Sequence, residues 1–302
     1  MKRHVIPVIA FFVFLLASCG SDSYGLAEFI FRANSVEDRA DSVFNLGNVA
    51  PASGKVYSVL IISDVHFGGE NSGKNGSRKD LGFLNWMKDL KQQTTAAGTP
   101  ELYPSFAICL GDVAEHGEES EFLAYQLFTE KLKTDEFGNI VTYNVVGNHD
   151  LYNSGWNRFK VHCYPYTSFY KFRTDSLTWY FLDSAGCTLG DDQLTSLSRD
   201  MKYVEKGRKK LLFMHVPVYA EGLFYFSMQE ADERNRFISL LGEEDAIALV
   251  DGHTHQEHVS NLGFIEYNIP GYLEKRAFAI MYIDERNSKY PTVSVKCYYP
   301  NF

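Results

Sequence analysis

Cysteine is scarce: five residues in 302, with no C-x-x-C pair. That excludes a thiolate metal cage and a small disulfide-stapled scaffold. Cationic charge is also short, with 29 Lys and Arg against 38 Asp and Glu and a net charge of −9. No basic stripe runs along the chain, so nucleic-acid binding is not expected. An acidic body can still handle phosphate, because bound cations supply the local positive charge. No apolar run is long enough for a comfortable bilayer span, and there is no internal repeat or low-complexity segment. What remains is ordinary globular composition, 45% hydrophobic and 22% charged, which argues against intrinsic disorder and fits one large domain or two small ones.

The longest apolar run, Val5 to Ala17, is thirteen residues behind a basic start at Lys2 and Arg3. That length suits a signal-peptide core. It ends in Leu16-Ala17-Ser18-Cys19-Gly20, a small-residue step before Cys that resembles the bacterial lipoprotein processing site. The resemblance implies lipidation of Cys19 and an exported chain anchored to a bacterial membrane. An ordinary secretory peptide cut nearby is the alternative. The expected organisation is a signal peptide over 1–19, a tether and N-terminal helix over 20–55, and one domain over 56–302. Cys109 sits in an apolar run and is expected to be buried. Cys163, Cys187 and Cys297 could form a disulfide in an oxidising compartment, with no pairing that sequence can specify. Oligomeric state is not specified either.

Apolar spacing from Leu26 to Leu46 suits an amphipathic helix. From Val56 the pattern alternates. Strands are expected at Val56–Ile62, Ser105–Leu110, Ile140–Val146, Leu211–Met214 and Ala246–Val250. Helices are expected at Leu81–Leu90, Glu118–Leu132, Asp191–Val204 and Ala231–Leu241. Tyr166–Arg173 and Leu177–Leu182 read as paired strands, and Gln256–Tyr299 as further strands and turns. The order implies two mixed sheets packed face to face, with helices outside.

Gly68-Gly69-Glu70-Asn71-Ser72-Gly73-Lys74-Asn75 nearly completes the phosphate loop G-x-x-x-x-G-K-[ST]. Asn75 stands where a magnesium-binding hydroxyl is required, so the match is coincidental. The same stretch opens with Asp64-Val65-His66, the first of five polar clusters that each follow an apolar strand. The others are Gly111-Asp112, Gly147-Asn148-His149-Asp150, His215 and Gly252-His253-Thr254-His255. Such strand ends converge on one crevice in an open α/β sheet. Imidazole and carboxylate together suit a transition-metal ion. Two such ions can clamp the oxygens of a displacement at phosphorus. Singly, His215 would read as a core histidine, and Asn148 and Asp150 as turn residues. All five clusters in order override those readings.

The pattern D-x-H, G-D, G-N-H-D, H, G-H-x-H resembles the calcineurin-like metallophosphoesterase superfamily. The resemblance implies a four-layer αββα sandwich and two divalent or trivalent ions, Mn, Fe or Zn. It implies Asp64, His66 and His255 on one ion, Asn148, His215 and His253 on the other, and Asp112 bridging both. His149 becomes the acid toward the leaving group, with a metal-held hydroxide as nucleophile. Glu115 and His116 stand where the protein phosphatases of the superfamily carry Asp and a phosphate-clamping Arg, which argues against that branch. Glu115 could orient His149, and His116 could touch substrate. Leu182-Asp183-Ser184 and Gly190-Asp191-Asp192-Gln193-Leu194 also resemble a family segment, although a strand, loop and helix start explains them without a site.

Turns at such strand ends often require positive φ, which is expected at Gly147 and Gly252. Lys74, Arg78 and Lys79 could line the cleft or be solvated loop charges. Tyr152, Trp156, Tyr164 and the run Tyr219–Phe226 could stack a ring or pack as a lid. The expected activity is hydrolysis of a small, possibly nucleotide-like phosphoester, mono or di. The competing reading is a non-catalytic surface lipoprotein that uses the fold as a binding module.

Overall fold

The computed structural model describes residues 36–69, 77–220 and 226–300. Cys19, Lys74 and most of the 219–226 run lie outside the described residues, as do the side chains of Arg78 and Lys79.

Five strands form one sheet: β2 (Val56–Ile62), β3 (Pro104–Cys109), β4 (Thr142–Asn144), β11 (Phe278–Asp284) and β12 (Thr292–Tyr298), in the order β12-β11-β2-β3-β4. Seven form the other: β1 (Phe44–Asn48), β5 (Tyr170–Arg173), β6 (Leu177–Phe181), β7 (Lys209–Phe213), β8 (Ala246–Asp251), β9 (His258–Asn261) and β10 (Ile265–Asn268). Their order is β1-β5-β6-β7-β8-β10-β9. The helices are α1 (Ser77–Ala97), α2 (Glu119–Leu132), α3 (Trp156–His162), α4 (Asp191–Arg199), α5 (Ala231–Glu243) and α6 (Tyr272–Lys275).

Side chains alternate across each strand, and this alternation builds the layers. Val59 and Ile61 of β2 join Phe172, Trp179 and Phe213 in the core between the sheets. Their neighbours Leu60 and Ile62 face the other way, against Phe83 and Met87 of α1 and Tyr125 of α2. On the second sheet Tyr180, Leu212 and Leu249 turn outward onto Leu197 of α4 and Phe237 of α5. Helix, sheet, sheet and helix thus stack as the expected four-layer αββα sandwich. Large buried side chains such as Trp179, which stacks on Phe213 at 5.5 Å, contribute roughly 1.5–3 kcal/mol each through burial.

β2, β3 and β4 run parallel, and so do β6, β7 and β8. Parallel strands return through helices and therefore end on one side of their sheet. The C-terminal ends of both trios carry the polar clusters.

The N-terminal segment departs from expectation. Residues 36–39 are helical, but Phe44–Asn48 is a strand that pairs in parallel with β5. The helix expected to run on to Leu46 has ended by then, and 26–35 lie outside the described residues. The seven-stranded sheet therefore begins before residue 56. The helix expected over Asp191–Val204 ends at Arg199 and continues as a π-turn over Asp200–Val204. That wider turn lets Asp200 and Glu205 both reach the buried ammonium of Lys171, at 2.6 and 2.5 Å. Cys109 and Cys163 are buried thiols, and burial pushes Cys109 up to about 12.

Candidate active site

The chain leaves β2 at Ser63-Asp64-Val65-His66. Asp64 is fully buried and takes two donors on Oδ2: Ser63 Oγ at 2.5 Å and the His253 N–H at 3.1 Å. His255 Nε2 stands 3.2 Å from Asp64 Oδ1. Asp64, His66 and His255 bring ligand atoms within 4.8 Å of one another. Asp112, His215 and His253 form a second such group. In it, His215 Nε2 lies 3.3 Å from Asp112 Oδ2, 3.1 Å from His253 Nδ1 and 3.0 Å from Asn148 Oδ1. Asp112 Oδ2 is also 3.8 Å from His66 Nε2, so this carboxylate faces both groups.

The donor chemistry fits cations. His215 Nδ1 points at the Leu110 carbonyl, 2.8 Å away, which directs Nε2 toward three acceptor atoms. Asp64 Oδ1 faces the His255 ring nitrogen, and His66 Nε2 is buried without a hydrogen-bond partner. Converging acceptors with no donor between them are costly unless a positive charge is present. Burial alone would lower His215 and His255, but Asp112 and Asp64 outweigh it and lift each to about 9. Burial and the neighbouring His215 drive His253 down to about 3. Burial opposes the charge on Asp64, yet His255 holds it at about 2.

Backbone strain sits where sequence did not place it. Gly147 and Gly252 have no positive φ. Glycine serves there for close approach: a Cβ at Gly147 would lie 2.2 Å from the Asp112 N, and one at Gly252 would lie 1.9 Å from Ser63 Oγ. The left-handed residues are instead Asp64, His66, Asp112, His253 and His255, with φ between 45° and 66°. Non-glycine residues in that region are strained, and such strain gathers at functional sites.

His149 forms a third such group with His66 and Asp112. Its ring meets His66 edge-on at 4.7 Å, and its backbone N–H donates to Asp112 Oδ1 at 2.8 Å. Its Nδ1 points at the Glu115 carbonyl, 2.7 Å away. The Glu115 carboxylate does not reach His149 as expected. It stands 2.9 Å from His66 Nδ1, and this contact, with weaker opposition from burial, lowers its pKa. Glu115 therefore holds His149 through its backbone and His66 through its side chain. His116 is turned away. Its Nδ1 meets Glu121 Oε1 at 3.1 Å in the cap of α2, and it does not line the cleft.

Three further residues support the site, and of these only Glu274 lay outside the stretches singled out in sequence. Asp150, fully buried, accepts from the Ala114 and Gly147 N–H groups at 3.0 and 2.8 Å and ties two strand-end loops together. Burial and Asp112 push it up to about 7. Ser184 Oγ accepts from the His215 and Val216 N–H groups at 3.1 and 2.8 Å, giving the Leu182-Asp183-Ser184 stretch a role at the site. Glu274, on α6, stands 3.4 Å from His255 Nδ1. The cleft above holds about 450 Å³ and is lined by Tyr152, Phe226, Thr254 and Glu274 beside the clusters. Trp156 and Tyr164, expected near it, pack instead against the two cores of the first sheet.

The sequence profile of the calcineurin-like phosphoesterase family matches residues 57–257. Among curated proteins, none matches this chain. Among solved structures, a dimetal phosphatase from Danio rerio is similar at 13% identity and a TM-score of 0.52, covering 80% of this chain and 99% of its own. The anchor in the inner membrane complex of Plasmodium is similar at 11% identity and a TM-score of 0.55, covering 80% and 84%. These likenesses share the fold. The family match spans the strand-end clusters from Asp64 to His255, and the chain belongs to the calcineurin-like phosphoesterase family.

Proposed function

We propose that the protein is a dinuclear-metal-dependent hydrolase of small phosphoesters. The observation that carries this reading is the pair of ligand groups, Asp64–His66–His255 and Asp112–His215–His253, with Asp112 Oδ2 facing His66 as well and His149 alongside. In this reading Asp64, His66 and His255 hold one ion. Asn148, His215 and His253 hold the other. Asp112 bridges them. The ions, Mn, Fe or Zn, would supply Lewis acidity at phosphorus and an activated water. Oriented by the Glu115 carbonyl, His149 presents Nε2 to the cleft and gives its proton to the departing oxygen.

A binding-module reading keeps the fold without the chemistry, and one structure of similar fold is described as an anchor. Metal content and turnover separate the two. The full chain, solubilised in detergent, is expected to carry about two ions and to lose hydrolysis of p-nitrophenyl esters when chelator is added. A chain that takes up no ion from Mn²⁺, Fe²⁺ or Zn²⁺ and cleaves no ester would be the binding module.

We also infer export, with anchoring through lipid on Cys19. Labelled palmitate should enter the chain in a bacterial host and be absent from Cys19→Ser. Equal labelling of the two would rule out this anchor.

A further inference from the structure

We propose that the site takes a phosphodiester, with one negative charge on phosphorus and a ring on its leaving arm. This rests on the hydrolase reading above and deepens it. Two observations carry it, one of shape and one of charge.

The cleft does not end at its own walls. A second hollow of about 180 Å³ adjoins it, lined by Tyr219, Gln256 and His258, and the two cavities share Thr254. A phosphorus centre over the clusters thus has room for two substituents. One runs past His149 to Tyr152, whose ring lies 4.8 Å from the imidazole. The other would turn toward Thr254, which lines both cavities, and the polar hollow beside it. A monoester would fill one of these arms. At the proton donor the arm meets an aromatic face, and Phe226 adds a second ring 5.5 Å from His253. Such faces stack a planar leaving group.

Charge points the same way. Asp64, Asp112, Glu115 and Glu274 are in direct contact with the imidazoles of the site. With two divalent ions bound, these four carboxylates would offset the four positive charges and leave none for a phosphate dianion. Glu274, half-exposed, also lines the cleft and repels a second negative charge there.

The test compares kcat/KM of the metal-loaded full chain on bis-p-nitrophenyl phosphate and on p-nitrophenyl phosphate. Bound metal is measured in the same samples, and calorimetry follows the binding of diphenyl and phenyl phosphate. The diester should be preferred about ten-fold, one factor of ten being about 1.4 kcal/mol. Glu274→Gln should narrow that ratio several-fold by improving the monoester. Tyr152→Ala should weaken diphenyl phosphate binding and raise KM for the diester more than it lowers kcat. A wild-type preference for the monoester, with two ions bound, overturns this inference and leaves the hydrolase standing. Two bound ions with neither ester cleaved removes both. The wild-type ratio decides the charge class even where a variant loses metal.

Discussion

Asp112→Asn is expected to release both ions and to reduce turnover by roughly a thousand-fold or more, about 4 kcal/mol of transition-state stabilisation. The reasoning separates folding from function. Asp112 sits at φ 50°, a conformation asparagine tolerates. Its Oδ1 accepts the His149 N–H at 2.8 Å, and an amide oxygen can do the same. The loop geometry should therefore survive, while the metal-free chain loses the buried Asp112–His215 pair, so its thermal melt should fall below wild type at neutral pH. What changes is Oδ2, which lies 3.3 Å from His215 Nε2 and 3.8 Å from His66 Nε2. In the variant, the shared anion becomes a neutral group, with an N–H₂ in place of one carboxylate oxygen. Metal per chain by mass spectrometry and steady-state turnover are the measurements. Normal values for both would remove Asp112 as the bridge.

His149→Ala should keep both ions and lose roughly 10²–10⁴-fold in rate for an alkyl leaving group. The loss should be much smaller for p-nitrophenolate, which departs without a proton. The backbone N–H of residue 149 still donates to Asp112, so the bridge keeps its hydrogen bond. A plot of log rate against leaving-group pKa should steepen in the variant. Parallel plots for wild type and variant would show that His149 acts on something other than the departing oxygen.

The site was largely legible because its signal is local. Each cluster follows an apolar strand, and the alternation that marks the strand also marks where it stops. What escaped depends on partners far along the chain. Val43, Phe44 and Leu46 continue a helical spacing, yet Phe44 is drawn into extended pairing with Tyr170. Tertiary pairing overrides such weak periodicity. Glu115 was expected to orient His149, and its carbonyl does so, while its carboxylate serves a second imidazole, His66, that sequence did not link to it. Glu274 carries no motif. It reaches His255 because β10 runs parallel to β8 and delivers α6 to the same edge. His116 is captured by Glu121, whose carboxylate also accepts the N–H of Glu118 at the start of α2. The glycine reading erred for a simpler reason: it placed unusual torsions where they cost least, whereas the protein places them on the functional side chains.

The direction of β1 has a consequence for how the molecule would sit in the cell. Phe44 aligns with Tyr170, Tyr170 with Phe181, and Phe181 with Phe213, the last residue before the turn to His215. The strand therefore starts along the margin where the cleft opens, four strand spacings or roughly 19 Å from β8. Arg39 is clasped to Asp183 at that margin, at 2.8 Å. If Cys19 is held in a bilayer, the sixteen residues from 20 to 35 join it to the described fold at Val36. They would leave from the mouth's own side of the sandwich. Anchor and mouth would then share one side of the molecule, so that esters released at or projecting from the membrane have no need to travel around the sandwich to reach the cleft.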